Sequence, residues 1–178
     1  MKIVRIFAEK LFSFHFDGET ENELERVLNL WNDTNYLFKF AKKNIPNIDL
    51  SKYIQDRIDD VEQINNIIDE ISNNDQTNLS TFFEPLKTTD FGLKLLTLQK
   101  GKTRQQKRSN HLRIYAIKID ENCYVITGGA IKLSQKMHDH PTTLIEYEKL
   151  VKCREFLREN GVIDDESFFE LIIELNEQ

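Results

Sequence analysis

The chain has 178 residues, of which 39% are hydrophobic and 30% charged, a composition typical of a globular domain. No apolar run approaches the roughly 20 residues that span a bilayer, and the opening MKIVRIFAEK lacks the apolar stretch of a signal peptide. With Cys123 and Cys153 as its two cysteines, a reducing cytosolic location is expected rather than a disulfide framework. These features exclude membrane-spanning, collagen-like and largely disordered proteins.

The formal net charge of -6 is unevenly distributed along the chain. Residues 91–118, here called the basic segment, hold eight Lys and Arg and no Asp or Glu, whereas residues 1–90 and 119–178 each carry a net charge of -7. Clustered cations attract phosphates and release counterions from nucleic acid. The alternative is a solvated loop that balances the acidic helices, and a pI near 5.3 opposes indiscriminate nucleic-acid binding. The candidate RNA contacts are Lys100, Lys102, Arg104, Lys107 and Arg108.

The first half of the chain predicts a hairpin followed by helices. Residues 2–16 alternate apolar and polar side chains twice, which indicates two short strands. An amphipathic helix containing Trp31 and a second helix ending near Asn44 should follow. Ser51 is expected to cap a long helix whose isoleucines repeat at three- and four-residue intervals, and LSTFFEPLK is predicted to be a short helical turn.

The second half predicts a central pair of strands. Residues 112–119 are apolar on both faces, which is typical of a strand covered on both sides, and residues 123–133 return as its partner. Gly128 and Gly129 indicate a bulge or a close backbone approach in that partner strand. They are not a phosphate loop, because the surrounding glycine and lysine spacing is absent from the sequence.

Two helices are expected at the C-terminal end. Pro141 followed by Thr143 and Glu146 predicts a capping box, and the last helix should begin between residues 164 and 167. The expected fold is therefore α+β, one domain over residues 1–178 with helices packed on one face of a small twisted antiparallel sheet. Residues 1–90 would supply the hairpin and acidic helices, and residues 91–178 the central strands and C-terminal helices.

Side chains suited to phosphate chemistry surround the end of the second central strand. Lys132, Lys136, His138 and His140 lie within a few residues of one another, and Arg113 opens the preceding strand. Phosphodiester cleavage needs cations at the phosphate, a base for the attacking hydroxyl and an acid for the leaving oxygen.

Ordinary alternatives apply to each of these residues. Arg113 can pair with an acidic neighbour, the two lysines can be plain surface residues, and the histidines can lie in a solvated loop or form a metal pair. No cysteine or further clustered carboxylate completes a coordination set, so neither a metal nor a cofactor is expected.

The run LRIYAIKIDENCYVITGGAIKLSQKMHDHP resembles the C-terminal core of the RelE/HigB-like toxins of bacterial toxin-antitoxin systems. Arg113 matches the arginine that opens a strand in that family, and Lys132, Ser134, Gln135 and Lys136 match its terminal pattern. The resemblance implies helices on a twisted antiparallel sheet, metal-independent cleavage of ribosome-bound mRNA through the ribose 2′-hydroxyl, and an antitoxin partner. The chain departs from the pattern in its acidity, its helical N-terminal extension and Leu133.

On this resemblance, the leading hypothesis is an RNA-cleaving toxin of an acidic, N-terminally extended branch. Arg113 and Lys132 would stabilise the phosphate, Lys136 would help to position it, and His138 or His140 would transfer protons. Residues 100–113 of the basic segment would contact ribosomal or messenger RNA. The alternative is a non-catalytic protein-interaction module that binds its partner through the acidic helices. An acidic helix lying over the basic surface would favour the module or an autoinhibited toxin.

Overall fold

A computed structural model describes residues 1–74, 78–86, 96–101, 110–133 and 137–177, apart from the side chains of Thr97, Gln99 and His138. The helices are α1 (Glu23–Asn32), α2 (Thr34–Asn44), α3 (Leu50–Asn73), α4 (Pro141–Glu159) and α5 (Asp165–Glu177). The strands are β1 (Lys2–Phe7), β2 (Leu11–His15), β3 (Phe83–Pro85), β4 (Thr97–Gly101), β5 (Leu112–Asp120) and β6 (Cys123–Ile131). Short 3-10 turns span Leu79–Thr81 and Met137–Asp139.

The six described strands form one sheet in the order β1-β2-β6-β5-β4-β3. Neighbouring strands are antiparallel except for β2 and β6, which run parallel. The α+β class is thus confirmed, while the sheet is mixed rather than purely antiparallel. The long connection through α1–α3 and β3–β5 allows β6 to enter beside β2 in the same direction, as a parallel pair requires.

Helices cover both faces of the sheet, whereas one covered face was expected. In β5, Leu112 and Ile114 face the core beneath α1–α3, and Tyr115 and Ile117 face the core beneath α4 and α5. Both sets are buried. A strand that is apolar on both sides must be covered on both. Helices α1–α3 cover one face of β5, and α4 and α5 cover the other.

The N-terminal elements follow their predicted order with two differences. The hairpin β1–β2 and helices α1, α2 and α3 are present, but Asp49 rather than Ser51 caps α3, its Oδ1 accepting from the Lys52 amide at 3.1 Å. The predicted turn at Leu79–Thr81 is followed by the additional strand β3.

The start of α4 also differs from the predicted capping box. His140 is the N-cap, with Pro141 in the first turn of the helix. A proline at the first helical position makes the preceding residue the cap, so Thr143 cannot occupy that place. Thr143 Oγ1 donates instead to the Met137 and His140 carbonyls, at 2.6 and 3.0 Å.

The β2–β6 pairing is short and leaves part of β6 open. It joins Leu11–Ser13 to Tyr124–Ile126, and in the described part of the chain the remainder of β6 has β5 as its neighbour on one side only. Helices α1 and α4 both pack against β6. No helix within the described ranges is sufficiently long and apolar to cross a membrane.

Candidate functional site

Three residues of interest lie close together in the backbone at the end of the sheet where β5 begins and β6 ends. Leu112 pairs with Ile131 and Arg113 with Ala130, and the Lys132 amide donates to the His111 carbonyl at 2.7 Å. His111, Arg113 and Lys132 therefore lie within two positions of one another on neighbouring strands. We call these three residues the basic end of the sheet.

His111 is the functional candidate that the sequence analysis missed. Its Nδ1 lies 3.0 Å from the Lys132 carbonyl oxygen, and a carbonyl can only accept, so Nδ1 carries the hydrogen. The neutral ring then has its lone pair on Nε2, which suits a proton acceptor. The observation that identifies His111 is the register of β5 and β6, which places His111 opposite Lys132.

The Arg113 side chain stabilises the backbone conformation at the start of β5. Its Nη1 donates to the Asn110 and Leu112 carbonyls, each at 2.7 Å. Burial lowers the pKa of Arg113, and the neighbouring Tyr115 and Glu84 act in the opposite direction. A guanidinium stays protonated under such shifts, so a positive charge is fixed at the strand start.

The two described lysines of the predicted site have different surroundings. Lys132 is partly buried directly after β6. Lys100 lies on β4 and its Nζ is 3.4 Å from Glu84 Oε1, so an adjacent carboxylate offsets much of its charge. Lys132 also has an interaction partner, so both lysines are held by neighbouring groups.

The remaining predicted RNA contacts lie outside the described residues. The sequence has four cations in the eight residues that join Gly101 to Asn110, and those two described residues are at the same end of the sheet as Lys132. These predictions therefore stay untested, and the residues concerned are Lys102, Arg104, Lys107 and Arg108. Lys136, predicted to position the phosphate, also lies outside the described residues.

The two predicted histidines lie next to α4. His138 is in the 3-10 turn before the helix, and its side chain is outside the described set. His140 Nδ1 accepts from the Thr142 amide at 3.3 Å and lies 2.8 Å from Thr142 Oγ1, while Nε2 is 3.2 Å from Asn44 Oδ1. Because Nδ1 accepts in the neutral ring, Nε2 donates to Asn44. His140 therefore connects α2 to α4.

A cleft borders the basic end on the side of α3. Its volume is ≈ 450 Å³, and His111 and Leu133 form the wall nearest to Lys132. The opposite walls come from the α2–α3 connection and the first turns of α3. The residues that line it are Asn44, Ile45, Ile48, Tyr53, Asp56, Arg57, His111 and Leu133.

The paired glycines of β6 give both a bulge and a close approach. Tyr115 pairs with Gly128 and Ala116 with Ile126, so Thr127 is the extra residue of the bulge. The Gly129 amide donates to Glu146 Oε2 at 3.1 Å. The carboxylate of α4 thereby satisfies a strand donor at the place where β2 no longer runs beside β6.

Glu146 belongs to an ion cluster between α1 and α4. Arg26 Nη2 lies 2.8 Å from Glu23 and 3.2 Å from Glu146, and Lys149 Nζ lies 2.6 Å from Glu23 and 3.0 Å from Glu146. Burial raises the pKa of Glu146, and the charges of Lys149 and Arg26 oppose that rise. Sequence patterns could not show this cluster, because its two helices are far apart in the chain.

Helices on both faces of a mixed sheet, with a basic end next to a cleft, define the molecule as a layered α+β protein. Comparison with protein-family models, with curated proteins and with solved structures gives no match. The resemblance to RelE/HigB-like toxins accordingly rests on the sequence pattern of residues 112–141 alone.

Proposed function

We propose that the protein binds RNA at the basic end of the sheet and cleaves it there in the manner of RelE/HigB-like toxins. One observation supports this proposal above others: His111, Arg113 and Lys132 lie at the adjoining ends of β5 and β6. They combine a proton acceptor with two cations, the groups that cleavage at a ribose 2′-hydroxyl needs.

The proposed reaction is an attack of the 2′-oxygen on the adjacent phosphorus. His111 Nε2 takes the hydroxyl proton, while Lys132 and Arg113 stabilise the negative charge that develops on the phosphate oxygens. The bond to the 5′-oxygen breaks, which leaves a 2′,3′-cyclic phosphate and a 5′-hydroxyl.

The leaving 5′-oxygen needs a proton from a second group. His140 is engaged with Thr142 and Asn44, so His138 is the better candidate of the two predicted histidines. In this proposal, Lys136 keeps its predicted role of positioning the phosphate.

Binding is tested by fluorescence anisotropy with a labelled single-stranded RNA over a range of salt concentrations. Lys132→Gln should weaken binding and reduce the slope of log affinity against log salt by about one, as expected for a lost phosphate contact. The matched control is Lys118→Gln, which makes the same charge change near the other end of β5. Equal affinities for the two variants would contradict binding at the basic end.

Cleavage is tested separately, on RNA in the presence of a chelator and by induced expression in bacteria. Products ending in 2′,3′-cyclic phosphates and growth arrest by the wild type should both be lost in an Arg113→Ala, Lys132→Ala double variant. The variant's fold must be checked, because Arg113 holds two backbone carbonyls at the start of β5. RNA binding with neither cleavage nor arrest would limit the function to binding.

A non-catalytic protein-interaction module is the second candidate, and the position of α3 favours it. This acidic helix contributes Asp56 and Arg57 to the cleft that His111 also lines, and Asp60 acts electrostatically on Arg113. An acidic helix beside the basic end lowers the local positive potential. The absence of any Lys132-dependent RNA binding would favour this candidate.

A further inference from the structure

We infer that the outer edge of β1 binds an extended, acidic segment of another protein as an additional strand of the sheet. The inference is independent of the proposed function, because β1 is an outermost strand whereas the basic end belongs to the two central strands. Its starting point is the juxtaposition of an open strand edge, an apolar groove and a cation.

The two edges of the sheet differ in their capacity to accept a further strand. Among the described strands, β1 and β3 are the outermost. Strand β3 has three residues and includes Pro85, which lacks an N–H. Strand β1 has six residues, and β2 is its one neighbour within the described ranges. Every second residue of an antiparallel edge strand directs its N–H and C=O outward, so β1 presents a row of backbone donors and acceptors.

An apolar groove borders β1 on the face of the sheet that carries α1. Val4 and Ile6 line it from β1, Leu24 and Leu28 line it from α1, and its volume is ≈ 510 Å³. In strand addition, backbone pairing supplies affinity while such pockets receive alternate side chains of the incoming strand. We therefore expect apolar residues of the partner opposite Val4 and Ile6.

The charge of β1 selects an acidic partner. Lys2 and Arg5 are exposed and the strand holds no carboxylate, although residues 1–90 together carry a net charge of -7. Asp17 interacts electrostatically with Lys2, so Arg5 is the principal cation of this edge. An acidic side chain directly opposite Arg5 would stabilise the pairing. The partner segment should thus place an acidic residue between two apolar ones.

The acidic residue and the apolar residues of the partner would lie on opposite faces of the sheet. The Arg5 guanidinium lies 6.0 Å from the centroid of the Phe12 ring, which belongs to the core beneath α4 and α5. The groove lies on the other face, where Glu25 Oε2 accepts from the Asn22 amide at 3.2 Å. The groove carboxylate is therefore kept apart from the acidic residue that Arg5 would contact.

Pairing with a second copy of the chain is disfavoured by the same charges. Two antiparallel copies of β1 would bring Lys2 and Arg5 of both copies to one junction, with no carboxylate on either strand. Ile6 is the extra residue of a bulge between Arg5 and Phe7. Edge cations and bulges both limit the pairing of identical edges, whereas an acidic strand compensates the charge.

The first test measures binding of a short, blocked, fluorescent peptide centred on Val-Glu-Val by fluorescence anisotropy with the whole protein. A Val-Lys-Val peptide should bind about tenfold more weakly, because like charges oppose each other across the strands. Two further peptides carry N-methyl groups on complementary sets of alternate amides, and one of the two should lose binding, since one set faces β1. No binding of the first peptide, or equal binding of the two methylated peptides, would overturn the inference.

The second test reverses the charge of the edge. Arg5→Glu should bind the Val-Lys-Val peptide more tightly than the Val-Glu-Val peptide, which is the opposite of the wild-type preference. Lys39→Glu is the control, because it makes the same charge change at an exposed position of α2 outside the groove lining. Circular dichroism checks the fold of both variants. An unchanged preference in Arg5→Glu, or the same reversal in Lys39→Glu, would overturn the inference.

Two further measurements separate this inference from its alternatives. Sedimentation velocity of the wild type should show a monomer at all concentrations. A dimer that the Val-Glu-Val peptide dissociates would show that a second copy occupies the edge, and would overturn the assignment of an acidic partner. Lys132→Gln should leave peptide binding unchanged, so loss of RNA binding in that variant and loss of peptide binding in Arg5→Glu are independent results.

Discussion

At the residue scale, Gly128 and Gly129 of β6 lie where neighbouring atoms leave no room for a side chain. A Cβ on Gly129 would lie 2.7 Å from the Arg113 carbonyl oxygen and 2.8 Å from Trp31 Cη2. A Cβ on Gly128 would collide with Glu146 Oε2, and the φ of +150° at that residue disfavours other side chains. The β6 backbone, Trp31 and Glu146 therefore pack at distances that only glycine permits.

The first prediction concerns Gly129→Ala. The added methyl group overlaps a backbone atom and a buried ring, so the free energy of unfolding should fall by about 1–3 kcal/mol. Urea denaturation followed by Trp31 fluorescence measures this loss. Gly18→Ala is the control, because none of the residues that the structure describes lies within 4 Å of its Cβ position, and the φ of +85° is what opposes the change. The steric explanation fails if the Gly129 loss is not the larger.

The second prediction concerns the pH dependence contributed by Glu146. Its pKa is raised from 4.5, so the folded state holds the proton more tightly than the unfolded state. The corresponding stability is fully present below the unfolded pKa and is lost as the pH rises through the folded pKa.

Glu146→Gln removes this titration. The free energy of unfolding of the wild type, relative to that of the variant, should therefore fall as the pH rises from about 4 to 7. Denaturant unfolding at several pH values measures it. The exposed Glu148 on the same helix supplies the control Glu148→Gln. A pH-independent difference for Glu146→Gln would contradict the raised pKa.

At the element scale, α4 depends on a histidine cap that also contacts α2. His140 accepts from the Thr142 amide and lies within hydrogen-bonding distance of Asn44 on α2. Pro141 fixes the cap position, because its ring suits the first turn and it lacks an N–H. The His140 side chain thus caps the N-terminus of α4 and also contacts α2, which lies in the first half of the chain.

The third prediction is that His140→Ala destabilises the protein by about 1 kcal/mol or more, because both the cap and the contact to α2 are lost. His140→Asn keeps an acceptor suited to capping and should recover the larger part of that loss. Urea denaturation of both variants and of Asn44→Ala checks this. Equal stability of the Ala and Asn variants would argue against a capping role.

The predictability of individual elements followed from their length and pattern. Helices α1, α2 and α3 carry apolar residues at helical spacing, and their existence was predicted from that spacing alone. Strand β3 has three residues, which is too short for an alternating pattern to be recognised. Its place is determined by pairing with β4 and by the stacking of Phe83 on Tyr124 at 4.9 Å.

At the scale of the whole molecule, both halves of the chain contribute residues to the core on each face of the sheet. Strand β2 pairs with β6, Trp31 of α1 contacts Gly129 of β6, and Glu23 of α1 is 2.6 Å from Lys149 of α4. Separating residues 1–90 from residues 91–178 would expose both sides of these contacts. The two halves should therefore unfold together.

The fourth prediction is a single cooperative unfolding transition. Trp31 is the one tryptophan of the chain and is 1% exposed, so its fluorescence reports on the α1–β6 contact. Its denaturation curve should coincide with that of far-UV circular dichroism, which reports on all helices. A fluorescence transition that precedes the loss of circular dichroism would show instead that α1 detaches from β6 before the rest unfolds.

The sequence by itself determined the local properties of this protein: the amphipathic helices, the two-faced central strands, the glycine bulge and the concentration of positive charge in residues 91–118. These depend on the spacing of side chains over a few residues, which the chain displays directly. Arg113 and Lys132 were predicted as site residues from the same stretch of sequence, because Arg113 lies at the start of the first central strand and Lys132 directly follows the second. Their roles stay predictions.

The tertiary structure alone decided how distant segments combine. The parallel entry of β6 beside β2, the meeting of α1 and α4 at Glu146, the pairing of His111 with Lys132 and the cleft next to them all join residues far apart in the chain. Such contacts depend on which buried surfaces fit together and which polar groups must be satisfied, and neither is a property of local spacing.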